Sequence, residues 1–105
     1  MATKAQLLSA LSSHIGKGRG ITALHLAGRI DTPARNVRHL VTELRTDGIA
    51  VCGTPRDGYY IAETAEELEE TCQFLRGRAM CSLALEATLR KVPLVDLLGQ
   101  LKLPT

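Results

Sequence analysis

Apolar residues return along this chain at two different spacings, and the change of spacing marks its elements. Leu7, Leu8, Leu11 and Ile15 recur at helical intervals, which predicts a first helix with one buried stripe. Thr3-x-x-Gln6 supplies its start, since the hydroxyl can accept from the third helical N–H while the amide reaches back. Three glycines in Gly16-Lys17-Gly18-Arg19-Gly20 stop it. Thr22 is the natural N-cap of a second helix, Ala23-Leu24-His25-Leu26-Ala27, which Gly28 and Ile30 bring to an early turn. A third helix has Thr32 as N-cap, Pro33 at the first helical position and Asp47-Gly48 as its stop. Within it Val37, Leu40, Val41 and Leu44 follow the i, i+3, i+4, i+7 rule. The spacing then shortens. Ile49–Cys52 and Tyr59–Ala62 are β-prone runs on either side of Gly53-Thr54-Pro55-Arg56-Asp57-Gly58, a hairpin signal. The expected core is Leu7, Leu8, Leu11, Leu26, Val37, Leu40, Val41, Leu44 and Ile61.

Residues 63–105 follow a different pattern. Thr64-x-x-Glu67 is a second capping box, and Glu66, Glu67, Glu69 and Glu70 crowd the first turns, where acids favour the positive end of the helix dipole. No proline follows until Pro93, so one helix of about 25–28 residues, roughly 40 Å long, is expected. Leu68, Cys72, Leu75 and Ala79 make an a/d-like stripe that drifts to Leu83, while Phe74, Leu85 and Leu89 are apolar elsewhere around the axis. A leucine-rich tail runs from Pro93 to Leu103. A domain of sixty-odd residues cannot cover so long a helix, and exposed apolar area of this kind finds a partner. Leu68, Leu75, Leu83, Leu97, Leu98 and Leu101 are the expected dimerisation contacts.

Composition narrows the class. The 105 residues are 45% hydrophobic and 23% charged, which suits a globular domain with an extension. No apolar run reaches membrane-spanning length and the start lacks the features of a signal peptide, so a cytoplasmic protein without membrane contact is expected. Cys52, Cys72 and Cys81 are odd in number and widely spaced, which favours reduced thiols over disulfides or a zinc site. The net charge of +2 conceals an asymmetry. Residues 1–62 carry eight Lys/Arg against four Asp/Glu, and residues 63–105 carry five against seven. A polyanion would therefore meet the first half.

The third helix carries the chemistry. At about 100° per residue, the face opposite its apolar stripe holds Arg35, His39, Thr42 and Thr46, with Arg38 and Arg45 along one edge and Glu43 to the side. Arginine can give two donors to guanine O6 and N7. Arg35, Arg38, His39 and Thr42 are the expected base contacts. Thr32, Arg45 and Arg56 are the expected phosphate contacts, which give affinity and register without sequence information. The bland reading of the arginines is a solvated helix face. His25 suits a packed position, the cysteines suit a core, and Tyr59 and Tyr60 suit strand positions alternating between core and surface. The glycine-rich basic loop lacks the GxxxxGK[ST] pattern of a nucleotide site, and no GxSxG, HExxH or paired-carboxylate site is present. No enzymatic activity, metal or cofactor is expected.

Thr22–Ala27, Thr32–Val41 and the passage Leu44-Arg45-Thr46-Asp47-Gly48-Ile49 into Gly58-Tyr59-Tyr60-Ile61 carry a resemblance. Residues 3–62 look like the winged helix-turn-helix domains of small bacterial and phage transcription regulators. One departure is the turn Gly28-Arg29-Ile30-Asp31, whose glycine comes early. The resemblance implies a recognition helix at 33–47 in the major groove and a wing at 49–62 on the backbone. The expected fold class is mainly α with a small β-hairpin wing: a DNA-binding domain over 1–62, then a helical oligomerisation segment over 63–105. The leading reading is a transcription regulator that binds double-stranded DNA as a homodimer. The competing readings are a winged-helix protein–protein interaction module and a phage or plasmid accessory protein for DNA replication or packaging.

Overall fold

A computed structural model describes residues 2–102; Leu103, the last leucine of the tail, lies outside them. The described residues are mainly helical with one two-stranded antiparallel sheet. The order is α1 (Lys4–Leu11), a 3-10 turn (Lys17–Arg19), α2 (Ala23–Arg29), α3 (Ala34–Thr46), β1 (Val51–Thr54), β2 (Gly58–Ile61), α4 (Ala65–Arg90) and α5 (Leu94–Gln100). None of these helices is long and apolar enough to cross a membrane. The chain divides into two compact units, Met1–Thr71 and Cys72–Thr105. Their boundary falls inside α4, whose first turns bond to the elements before them.

The starts of α1 and α2 follow the expected local chemistry, and that of α3 does not. Thr3 Oγ1 accepts from Gln6 N at 3.2 Å and Gln6 Oε1 accepts from Thr3 N at 2.9 Å, the full capping box. Thr22 Oγ1 accepts from His25 N at 3.2 Å. Pro33, with ψ 148°, is still extended and is itself the N-cap, its carbonyl accepting from Asn36 N and Val37 N. Thr32 does not cap the helix; its hydroxyl accepts from Asn36 Nδ2 at 2.8 Å.

Three helices end alike. Thr32 N donates to Ala27 O, Ile49 N to Leu44 O and Val92 N to Ala87 O, each at 3.0 Å. These are the six-to-one bonds of a Schellman ending, which needs a left-handed residue just before the donor. Gly48 fills that place after α3, whereas Asp31 (φ 52°) fills it after α2 and Lys91 (φ 58°) after α4. Gly28 sits within α2, so its early position does not disturb the turn.

The strands are displaced toward the turn relative to the β-prone stretches, by two residues in β1 and one in β2. Val51 pairs with Ile61, Cys52 with Tyr60, Gly53 with Tyr59 and Thr54 with Gly58, so both glycines lie in the ladder. A turn over Thr54–Asp57 joins the strands, closed by Asp57 N donating to Thr54 O at 3.2 Å, with Pro55 at its favoured second position. The segment after α1 lies along β2. Ile21 and Tyr59 exchange both backbone bonds, at 2.8 and 2.7 Å, and Ile61 N donates to His14 O at 2.8 Å. A Cβ on Gly20 would sit 1.8 Å from Asp57 O, so only glycine fits there.

The core of the first unit gathers Leu7, Leu11, Ile21, Leu26, Ala27, Val37, Leu40, Val41, Leu44 and Val51. Leu8 does not belong to it; one residue away from Leu7 on the helix, it is 37% exposed. Ile61 packs at the core edge only partly buried, and Tyr60 is the strand's buried residue. The reason is that the hairpin is covered on both faces. Val51 meets the helical core, while the Cys52–Tyr60 face meets the start of α4. There Cys52 Sγ donates to Glu67 O at 3.8 Å and the buried Thr71 Oγ1 accepts from Gly53 N at 3.2 Å. Burial pushes the Tyr60 phenol upward, partly opposed by its hydrogen bond with Thr71.

Thr64 Oγ1 accepts from Glu67 N at 3.1 Å, and the Glu67 carboxylate reaches beyond Thr64. Its oxygens accept from Glu63 N at 2.8 Å and from Lys17 N at 2.9 Å. In the second unit, α5 follows a short turn after α4. Leu97 and Leu98 are each 2% exposed and Ala87 is buried as well. Two of the leucines expected at a dimer contact are thus taken up inside the chain itself, because α5 turns its central leucines inward. Leu68, Leu75 and Leu101 stay exposed and Leu83 is half-buried.

Candidate nucleic-acid interface

The amphipathic pattern of α3 sets its outward chemistry. With Val37, Leu40, Val41 and Leu44 buried, Arg35, Arg38, His39, Thr42 and Thr46 are exposed. Among the described residues neither Arg35 nor Arg38 has an ion-pair or hydrogen-bond partner, so both guanidinium groups are available to a ligand. His39 is less free: its Nε2 lies 2.8 Å from Glu43 Oε1, one turn along the helix. The Thr42 hydroxyl donates to Arg38 O at 3.2 Å and that of Thr46 to Thr42 O at 2.9 Å. Each hydroxyl proton is spent on the helix, which leaves the oxygens as acceptors.

The three expected phosphate contacts separate. Arg56 is exposed at the hairpin turn with no partner among the described residues. Thr32 is half-buried and its N–H is used by Ala27 O, so only its hydroxyl proton remains to offer. Arg45 turns inward. Its Nε donates to Val51 O at 2.7 Å, its guanidinium carbon lies 6.0 Å from the Tyr59 ring centroid, and Nη2 is buried without a partner. Arg45 therefore braces α3 against the hairpin. Its place at the end of the outward face concealed this, because a side chain of that length can reach either way.

Pairing of residues 14–21 with β2 adds a cation to the hairpin end. Gly20 closes on Asp57, so Arg19 and Arg56 are each one residue from the same close approach. Glycine and positive charge in this loop were visible in the sequence, but nothing local announced its partner strand. Lys17 is committed elsewhere: its Nζ is 2.8 Å from Glu70 Oε2, and that hydrogen bond raises its pKa. Beside the loop is an open groove of about 740 Å³, lined by His14, Gly20, Ile21, Thr22, His25, Gly28 and Arg29. In it His14 Nδ1 lies 2.8 Å from Arg19 O and Nε2 lies 2.9 Å from Arg29 Nη1. No group of three His, Cys, Asp or Glu side chains among the described residues is arranged to hold a metal ion.

Among the described residues Arg35, Arg38, Arg56 and Arg19 thus offer unpaired cations on α3 and at the hairpin, with hydroxyl acceptors between the first two and the end of α3. In comparisons with known proteins, no protein-family model, curated protein or solved structure matches this chain.

Proposed function

We propose that residues 3–62 are a winged helix-turn-helix domain that binds double-stranded DNA, with α3 as recognition helix and the β1–β2 hairpin as wing. One observation carries this reading: the solvent face of α3 presents Arg35 and Arg38 with no partner among the described residues, on a helix braced by Arg45 against a hairpin that bears Arg56. Arg35 and Arg38 suit guanine edges in the major groove, with Thr42 accepting from an exocyclic amine. Arg56, with Arg19 nearby, suits phosphates flanking the groove. A regulatory protein acting as a homodimer is the fullest form of this reading, since Leu68, Leu75 and Leu101 remain exposed on the C-terminal helices.

Selection of bound duplexes from a random pool tests it, and the expected result is an enriched site with half-site symmetry. On that site Arg35→Ala weakens binding by about 1–3 kcal/mol and relaxes base preference. Equal affinity of the wild type and the Arg35→Ala/Arg38→Ala chain would overturn the assignment of α3. A pool that yields no enriched sequence would instead favour a winged helix that binds protein.

A further inference from the structure

We propose that two copies of the chain pair through α4 in antiparallel orientation, with Leu68 set against Ala79 and Cys72 against Leu75 of the second copy. The proposal rests on the homodimer reading and adds the surface and the direction. On α4, Glu67 and Thr71 are occupied by the hairpin and the loop after α1. The adjoining stripe Leu68, Cys72, Leu75 and Ala79 is exposed, with Leu68 at 41% and Leu75 at 40%. Its spacing is that of an a/d seam, and the stated register opposes each leucine to a small residue, as close helix packing requires.

Charge selects the direction. Before Cys72 the helix carries Glu66, Glu67, Glu69 and Glu70; after Leu75 it carries Arg76 and Arg78. Parallel helices would lie acid beside acid and base beside base. Antiparallel helices lay each acidic stretch along the basic stretch of the other copy. Glu69 and Arg76 occupy the same heptad position, each directly after a stripe leucine, and both are exposed. In the antiparallel register these positions face each other, so two-fold symmetry makes the Glu69–Arg76 pair twice. In a parallel pair they would face Thr64 and Thr71 instead, and no such pair forms.

Sedimentation of the full chain at micromolar concentration and low salt tests the proposal, with circular dichroism to verify that each variant keeps its helices. Glu69→Arg and Arg76→Glu, taken singly, place like charges together twice and should each weaken self-association at least about tenfold. The double variant Glu69→Arg/Arg76→Glu should recover. Mixing the two single-variant chains should give a heterodimer tighter than either alone, since every flanking pair is then opposite in charge. A wild-type dimer that ignores both reversals, or a mixture no tighter than its components, overturns the antiparallel pairing and leaves the homodimer reading standing. A wild-type monomer overturns both.

Discussion

Glu67 shows how much one carboxylate can join. Its oxygens accept from the backbone N–H groups of Lys17 and Glu63, and those bonds, the Lys17 amide first, lower its pKa from the ordinary 4.5. The lowered pKa means that the folded state binds the proton less readily than the unfolded chain. The stabilisation is therefore complete above the ordinary glutamate range and is lost as pH falls through the lower folded value. Glu67→Gln should lower Tm at neutral pH and make its decline on acidification shallower, as followed by thermal unfolding across pH. Arg45 and Arg56 make a second comparison at this scale. Arg45→Met removes the bond to Val51 O but also the unpartnered Nη2, so the two effects partly offset. A net loss of about 1 kcal/mol is expected. If the proposed DNA interface holds, the salt dependence of duplex binding should be unchanged by it, whereas Arg56→Ala should make that slope shallower by about one. Urea unfolding and salt titrations of the two variants separate a brace from a phosphate contact.

The turn between α2 and α3 is the element whose geometry decides where the arginine face points. It depends on Asp31 holding a left-handed backbone, φ 52°, so that Thr32 N can reach Ala27 O. Aspartate tolerates that conformation better than most residues, but glycine does so at no steric cost. Asp31→Gly should stabilise the fold by about 0.5 kcal/mol, a small gain because glycine also enlarges the freedom of the unfolded chain. Asp31→Val, β-branched and strained there, should cost about 1–2 kcal/mol. Urea midpoints at constant slope would display both changes, and a destabilised glycine variant would contradict the assignment of strain to this residue.

For the whole molecule, the contacts of the first turns of α4 determine where the first unit can be cut. A chain ended after Ala62 loses the Glu67 clasp, the bond from Cys52 Sγ to Glu67 O and the Thr71 hydroxyl that satisfies Gly53 N. It also uncovers Tyr60, which is 2% exposed in the full chain. A buried amide without a partner costs about 1–3 kcal/mol by itself, and the lost cover adds to it. A chain of residues 1–71 should therefore be more stable than one of 1–62 by at least about 2 kcal/mol, or roughly 10 °C in Tm. Equal melting temperatures would mean that α4 contributes nothing to the hairpin.

What the sequence by itself determined is whatever depends on neighbours within a turn or two. The stripe of α3 rests on Val37, Leu40, Val41 and Leu44, the start of α1 on Thr3 and Gln6, and the length of α4 on the absence of proline before Pro93; all three were legible. So was the outward set Arg35, Arg38, His39 and Thr42, because burying one face of a helix assigns the other to solvent. Thr32 shows the limit of that rule, since Pro33 leaves the cap one residue later. Only the tertiary structure decided the destinations of groups that reach across sequence distance. The loop after α1 pairs with β2, Glu67 reaches past its capping box to Lys17, Arg45 turns toward Val51, and Leu97 and Leu98 are buried within the chain. The physical reason is common to all four. Periodicity records which face of an element is apolar, but an unpaired amide, a long flexible cation or a leucine at a helix surface can be satisfied by several partners. The choice among them is made by which segments the packed core brings within reach.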